Sequence, residues 1–420
     1  MKFLYLRSNA TKMKLNISCV SKASMCSGCG ACVSICSTKS ISLKESSLGR
    51  VYAIVDSNCT HCGLCVKVCP SYKSDYDFDT FFGLEKQKII VGKAINHFLK
   101  SNGQSGGAVT AFLSYLFNEK KIDAALVCKP VESGRGVPYI ATNASQLIQC
   151  QKSIYTPVSL LTQLDLLHPF KSVAIVGLPC HLSAMRRLMK IKKIPINYML
   201  GLICDRTLCS GISDSICEYL NCGKSQSISI KWRDKSVPGF SYHNAPISVT
   251  MHDGDLRVIP SRVRQQIKKY FTPPRCLVCP DKLNLSSDLV FGDPWNIYIE
   301  DGQGESLIIA NTPKGCELLN HAVNYKIISS KECTSEQLDK SQHIRQRRNQ
   351  VIVYSRLFSL FSSHKHPLLF SALSDKTISV VEFMRALYGV VRFKVFELLP
   401  KVWVCKYVAR KISNLCDAAD

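Results

Sequence analysis

The chain has 420 residues, 46% of them hydrophobic and 20% charged, and carries a formal charge of +23 from 54 Lys/Arg against 31 Asp/Glu. That length exceeds one comfortable core, so two or three domains are expected, and the composition excludes a disordered or fibrous chain. No run of about 18 uncharged apolar residues occurs, so no transmembrane helix is predicted.

The N-terminus, with Lys2, Arg7, Lys12 and Lys14 and no continuous apolar core, does not read as a secretory signal. With 22 cysteines, a reducing cytoplasm is the expected compartment, because thiols must stay available for metal. The last 80 residues hold 13 Lys/Arg against 5 Asp/Glu. No nucleic-acid module accompanies the charge, so no nucleic acid is expected. An acidic electron-carrier protein or peripheral contact with anionic lipid suits it better.

Residues 1–80 are expected to form an α+β, ferredoxin-like cluster domain. Cys26, Cys29, Cys32 and Cys36, then Cys59, Cys62, Cys65 and Cys69, each follow the C-x2-C-x2-C-x3-C run that wraps a 4Fe–4S cluster. Three close thiolates hold three corners and the fourth cysteine ligates the other cluster. Cluster one is therefore assigned to Cys26, Cys29, Cys32 and Cys69, and cluster two to Cys59, Cys62, Cys65 and Cys36. Pro70 follows the second run as usual; Ser37 stands in its place after the first. Zinc sites rarely use a third cysteine at this spacing. Between the runs, residues 40–45 and 50–56 alternate like strands around a turn at 46–49. Residues 72–79 are polar and acidic and read as a linker.

An α/β domain is expected next, in two regions, 81–170 and 171–340. Ser105, Gly106 and Gly107 open a predicted helix over 111–117, where free N–H groups suit phosphate; a plain tight turn is the competing reading. Strands are predicted at 122–127, 173–176, 196–203 and 288–291, with helices at 181–190 and 314–323. Cys180, Cys204 and Asp293 follow strands, where ligands of open α/β sheets collect. With Cys276 and Cys279, Cys180 and Cys204 make a candidate third thiolate set. Buried core thiols, or zinc at Cys276 and Cys279, remain alternatives. His181 reads as a cap or packing residue. Residues 341–420 read as a mostly helical basic tail, packed back on the body or lying on a membrane surface.

In order, the two cysteine runs, residues 104–110, 177–180, 201–205, 233–235, 275–281 and 287–295 resemble the coenzyme F420 hydrogenase/dehydrogenase beta-subunit family, in its bacterial form with an N-terminal two-cluster ferredoxin. The resemblance implies an FAD-containing oxidoreductase that moves electrons between clusters and an organic hydride substrate. It implies that Ser105, Gly106 and Gly107 approach flavin phosphates and that Cys180, Cys204, Cys276 and Cys279 hold a further 4Fe–4S cluster, with Cys209 competing with Cys204. Asp205 and Arg206 stand where many bacterial relatives carry histidine and glycine, leaving the substrate open. The alternative is a non-catalytic electron-transfer subunit docking to a larger redox or polysaccharide-biosynthesis complex.

Overall fold

The structure, a computed structural model, describes residues 15–86, 88–222, 229–241, 243–297, 304–361 and 378–417. Lys2, Arg7, Lys12 and Lys14 lie outside them.

The N-terminal module contains α1 (Ser18–Lys22), α2 (Ala31–Ile35), the strands β1 (Ile41–Glu45) and β2 (Val51–Val55), and α3 (Leu64–Lys67). β1 and β2 pair antiparallel from Ile41 opposite Val55 to Glu45 opposite Val51. The two halves repeat one device: Gly30 (φ 90°) and Gly63 (φ 77°) turn the chain through the left-handed region into α2 and α3. A side chain there would be strained.

The central body follows as β3 (Lys88–Gly92), α4 (His97–Asn102), α5 (Ala108–Asn118), β4 (Ala124–Pro130), β5 (Gly136–Ala141), β6 (Val173–Gly177), α6 (Pro179–Met189), β7 (Ile196–Leu202) and α7 (Gly211–Tyr219). The chain continues through β8 (Ser229–Lys231), β9 (Ile247–Thr250), β10 (Leu256–Ile259), α8 (Ser261–Phe271), α9 (Pro274–Leu277), β11 (Leu289–Gly292), β12 (Ser306–Ala310), α10 (Pro313–Asn324), β13 (Lys331–Glu332) and α11 (Ser335–Gln342).

Eight strands form one sheet in the order β13-β3-β12-β11-β7-β6-β4-β5. Its centre, β11-β7-β6-β4, is parallel, and β12 and β5 join it antiparallel. The sheet is therefore mixed. β6 and β12 are buried along their whole length, as expected for strands covered on both faces. β3, β4 and β5, from residues 81–170, join both flanks of the block β12-β11-β7-β6 from residues 171–340, so strands of the two regions lie in one sheet. β8, β9 and β10 make a separate three-stranded sheet.

Three long helices end the chain: α12 (Ile344–Phe361), α13 (Val380–Leu398) and α14 (Lys401–Asp417). They pack on the body, with α14 against α7 and α8, and α13 against α12 and α8. The stretch expected to be a linker, 72–79, is instead docked. Phe78 is buried with Val351 and Ile352 of α12, Asp75 pairs with Arg187 at 2.7 Å, and Asp79 pairs with Arg348 at 2.9 Å. Phe78 is buried and two of the three acids meet arginines, which a polar average over the segment conceals.

Candidate functional site

All twenty-two cysteines are free thiols. Cys26, Cys29, Cys32, Cys65 and Cys69 are buried, Cys36 and Cys59 are partly exposed, and Cys62 is exposed. Burial, then the neighbouring Cys29 and Cys26, push the Cys69 thiol up to about 12. Cys32 is raised by burial and by Cys29, Cys26, Cys69 and Cys65. Cys69 thus comes back from the second run to the first. The cluster module is pinned to the body on this buried side: the Cys29 carbonyl accepts from Leu161 N–H at 3.0 Å, and the Cys69 carbonyl accepts from Arg187 Nη1 at 2.7 Å.

Cys180, Cys204, Cys276 and Cys279 lie near one another. Cys180 lies in the first turn of α6 rather than in the preceding loop, because Pro179 starts the helix early. Its pKa is raised by burial and then by Cys29, Cys279 and Cys276, while that of Cys204 is raised by burial and then by Cys276, Cys180 and Cys279. Cys209 packs instead in an apolar core with Leu208, Ile212 and Phe271. Four thiols gathered in this way repel one another when ionised, and a bound metal centre, whose positive charge compensates them, suits the set.

Two arginines brace this region. Arg347, buried on α12, donates to the carbonyls of Cys276 (2.6 Å) and Cys279 (2.8 and 3.2 Å). Arg275, also buried, donates through Nε to Ser71 Oγ at 2.7 Å, while its Nη1 has no protein partner. Its electrostatic neighbours are Cys279, Cys180, Cys276 and Cys69.

Beyond Cys204 opens a cavity of about 760 Å³ at the carboxyl edge of β4, β6, β7 and β11. Its size is that of a cofactor site. Ser105 and Gly107 line it with the N-terminus of α5. Gly106 stands behind them, its N–H donating to Ser306 Oγ at 3.2 Å. Gly107 (φ 73°) is the residue that enters α5, and a side chain there would collide with the Leu99 carbonyl. Both the tight turn and the open helix end are therefore present.

Motifs far apart in sequence meet at this rim. Asp293 accepts from Ser105 Oγ and from Arg233 Nη1 at 2.6 Å; Arg233 lies over the Trp295 ring at 5.0 Å; Lys235 donates to the Ser105 carbonyl at 3.1 Å. Another stretch of wall is cationic, with Arg206, Arg264, Lys268, Lys282 and Arg347. Burial brings Lys282 down to about 8, helped by Arg347 and Arg206 and opposed by Asp205. Asp205 is held well below the usual carboxylate range: burial raises it, but Arg206 and Arg347 outweigh that. His181 is buried, accepting from Leu178 N–H at Nδ1 and facing the Val158 carbonyl at Nε2, and burial lowers it to about 4. It is a neutral capping residue. Sequence reasoning missed Arg264, Lys268, Lys282 and Arg347, which no local motif marks as cavity residues.

A two-run cysteine module abutting further half-buried thiols, beside a basic cavity at a sheet's carboxyl edge, defines an iron–sulfur redox protein. The profile "Coenzyme F420 hydrogenase/dehydrogenase, beta subunit N-term" matches residues 89–165, its C-terminal companion matches 170–336, and a "4Fe-4S dicluster domain" matches 25–72. The chain belongs to the coenzyme F420 hydrogenase/dehydrogenase beta-subunit family and carries an iron–sulfur dicluster domain.

The chain is 36% identical over 124 residues to the coenzyme F420-dependent sulfite reductase of Methanocaldococcus jannaschii, covering 24% of this chain and 19% of that protein. It is 30% identical over 125 residues to the beta subunit of the F420-dependent formate dehydrogenase of the same organism, covering 29% and 33%. The match thus spans a third or less of those relatives. One subunit of the F(420)H(2) dehydrogenase of Methanosarcina mazei is 23% identical over 335 residues, covering 72% and 89%. A chain of the F420-reducing NiFe hydrogenase complex of Methanosarcina barkeri shares the fold, with a TM-score of 0.52, 16% identity, and coverage of 67% of this chain and 97% of that one.

Proposed function

We propose that the chain is a flavin-dependent oxidoreductase subunit that carries electrons from a protein partner through three 4Fe–4S clusters to an organic hydride acceptor in the cavity. One observation carries the reading. Neighbouring thiols lead inward from Cys65 to Cys32 and Cys29, then to Cys180, and end at Cys204 on the cavity wall. A pure relay subunit has no need of a cavity this large at the end of its path.

FAD, when bound, exchanges single electrons on one side and a hydride on the other, which a cluster alone cannot do. Ser105 and the N-terminus of α5 suit its phosphates. Asp293, held by Ser105 and Arg233, fixes that rim, and Lys235 braces the Ser105 carbonyl. Arg206, Arg264 and Lys268 favour an anionic substrate. Relatives are named for F420, a deazaflavin, so F420 is the first substrate to try. Exposed Cys62 and half-buried Cys59 put cluster two where a ferredoxin-like carrier or a redox-complex subunit could reach it.

Protein prepared without oxygen should carry about twelve irons per chain, four for each cluster, and take up one FAD. Full iron with no flavin uptake on reconstitution refutes the flavin assignment. Irons at about eight would remove the third cluster.

A further inference from the structure

Helix α13 is apolar on two faces. Ala386, Val390 and Phe393 are buried against the body. On the other side Val380, Met384, Tyr388, Val391, Val395 and Leu398 recur at steps of three and four, the rhythm of a single helix face. All of these stand in solvent, from 45% exposed at Val395 to 86% at Leu398. Val402 and Trp403, the latter 65% exposed, continue the apolar surface onto α14. More than half of the strongly exposed large apolar side chains among the described residues fall between 360 and 407. The family match ends at residue 336, so this face is an addition to the shared fold.

We propose that α13 is an interfacial helix that seats its outer stripe in the headgroup layer of an anionic lipid bilayer. At 100° per residue, Arg385 and Arg392 flank one side of the stripe and Lys394 the other; Arg385 is exposed, while Arg392 also donates to the Lys269 carbonyl at 3.0 Å and Lys394 to Ser24 Oγ at 2.6 Å. Both acids of the helix are engaged elsewhere: Glu382 accepts from Ser379 N–H at the cap (3.1 Å), and Glu397 is held by Arg50 at 2.7 Å. Lys406 and Arg410 on α14 are exposed beside Trp403 and Tyr407. Cations beside an apolar stripe, with Trp and Tyr at its edge, are the chemistry of a bilayer interface. Size favours lipid over protein. A helix this long gives a stripe of about 28 Å by 10 Å, roughly 300 Å², against about 800 Å² per partner in a stable protein interface. No helix among the described residues is long and apolar enough to cross a membrane, so the contact is with the surface.

The test is co-sedimentation of the full chain with vesicles of phosphatidylcholine, alone or with about a third phosphatidylglycerol. Binding should be at least about tenfold tighter to the anionic vesicles and weaken as salt rises. Met384→Asp with Leu398→Asp should lose about tenfold or more while iron content and melting temperature stay unchanged, since both side chains are exposed. Equal binding by variant and parent, equal binding to both vesicle types, or no binding to either overturns the proposal. So does a parent dimer that the variant turns into a monomer by light scattering, which would make a second copy the occupant.

Discussion

Arg347→Met tests whether the third thiolate set depends on the helix behind it. Arg347 is buried and makes three hydrogen bonds at 2.6–3.2 Å to the carbonyls of Cys276 and Cys279, with Gln350 Oε1 at 3.1 Å. Asp205 lies 3.9 Å away but keeps Arg206 at 2.6 Å, so the substitution does not strand it. Charge-assisted hydrogen bonds contribute about 1.5–3 kcal/mol each, and removing the guanidinium also removes its own desolvation cost of several kcal/mol. The net loss should be about 2–3 kcal/mol, or roughly a 4–6 °C fall in melting temperature for a large domain. Iron should fall from about twelve toward eight per chain as the third cluster is lost, while the EPR signals of the N-terminal pair persist. Arg347→Lys should rescue little, because one ammonium cannot fork across two carbonyls. An unchanged melting temperature with full iron in Arg347→Met refutes the bracing role.

Other outcomes follow from the same geometry. Arg275→Gln removes a buried cation among Cys69, Cys180, Cys276 and Cys279, so cluster potentials should become more negative by on the order of 100 mV; unchanged potentials in an anaerobic EPR titration refute this. Gly107→Ala forces a side chain into a left-handed position and against the Leu99 carbonyl, and should cost about 1–3 kcal/mol and lower flavin occupancy, both absent if the turn can shift freely. Chelation under mild oxidation should release iron in two phases, about four irons leaving first, because Cys62 is exposed while Cys26, Cys29, Cys32 and Cys69 are buried; a single phase argues against one outer cluster. For Asp234, burial raises the carboxyl, but hydrogen bonds from Ser236 and Ser248 outweigh this and hold it down to about 2. Its folded pKa lies below the unfolded one, so its contribution is present above about pH 4 and is lost as pH falls toward 2. Asp234→Asn should flatten that part of the acid-unfolding curve, and an unaltered curve contradicts it.

What the sequence disclosed depended on range. β6, β7 and β11 are legible because largely buried strands are short apolar runs, and the observed bounds differ by a residue or two. α5 starts three residues before its apolar rhythm because Gly107, not a side chain, sets its entry. The small sheet of β8, β9 and β10 escapes local patterning, since Ser229–Lys231 and Leu256–Ile259 are short and carry exposed residues. α8 has a usable signal in Val263, Ile267, Tyr270 and Phe271, which are its buried face. The pairing of Arg233 with Asp293, 60 positions apart, is beyond local reading, although both stand in family motifs. Arg347 reads in sequence as the opening of a basic tail, and only the fold shows it facing inward onto the cysteine loop.

The tail cannot be separated from the redox part of the molecule. Buried Arg50, on the hairpin of the cluster module, pairs with Glu397 of α13 at 2.7 Å. Ser47 donates to the Glu397 carbonyl at 2.7 Å, and Lys394 donates to Ser24 Oγ at 2.6 Å. Deleting residues 341–420 would remove the Glu397 carboxylate from the Arg50 guanidinium and uncover that side of the hairpin, and would remove Arg347 from the cysteine carbonyls as well. Loss of binding in such a truncation would therefore report damage to the cluster module, whatever the stripe on α13 contacts. The outer residues Met384 and Leu398 take part in none of these bonds. Changing them alone alters the surface offered to lipid and leaves the cluster module held as before.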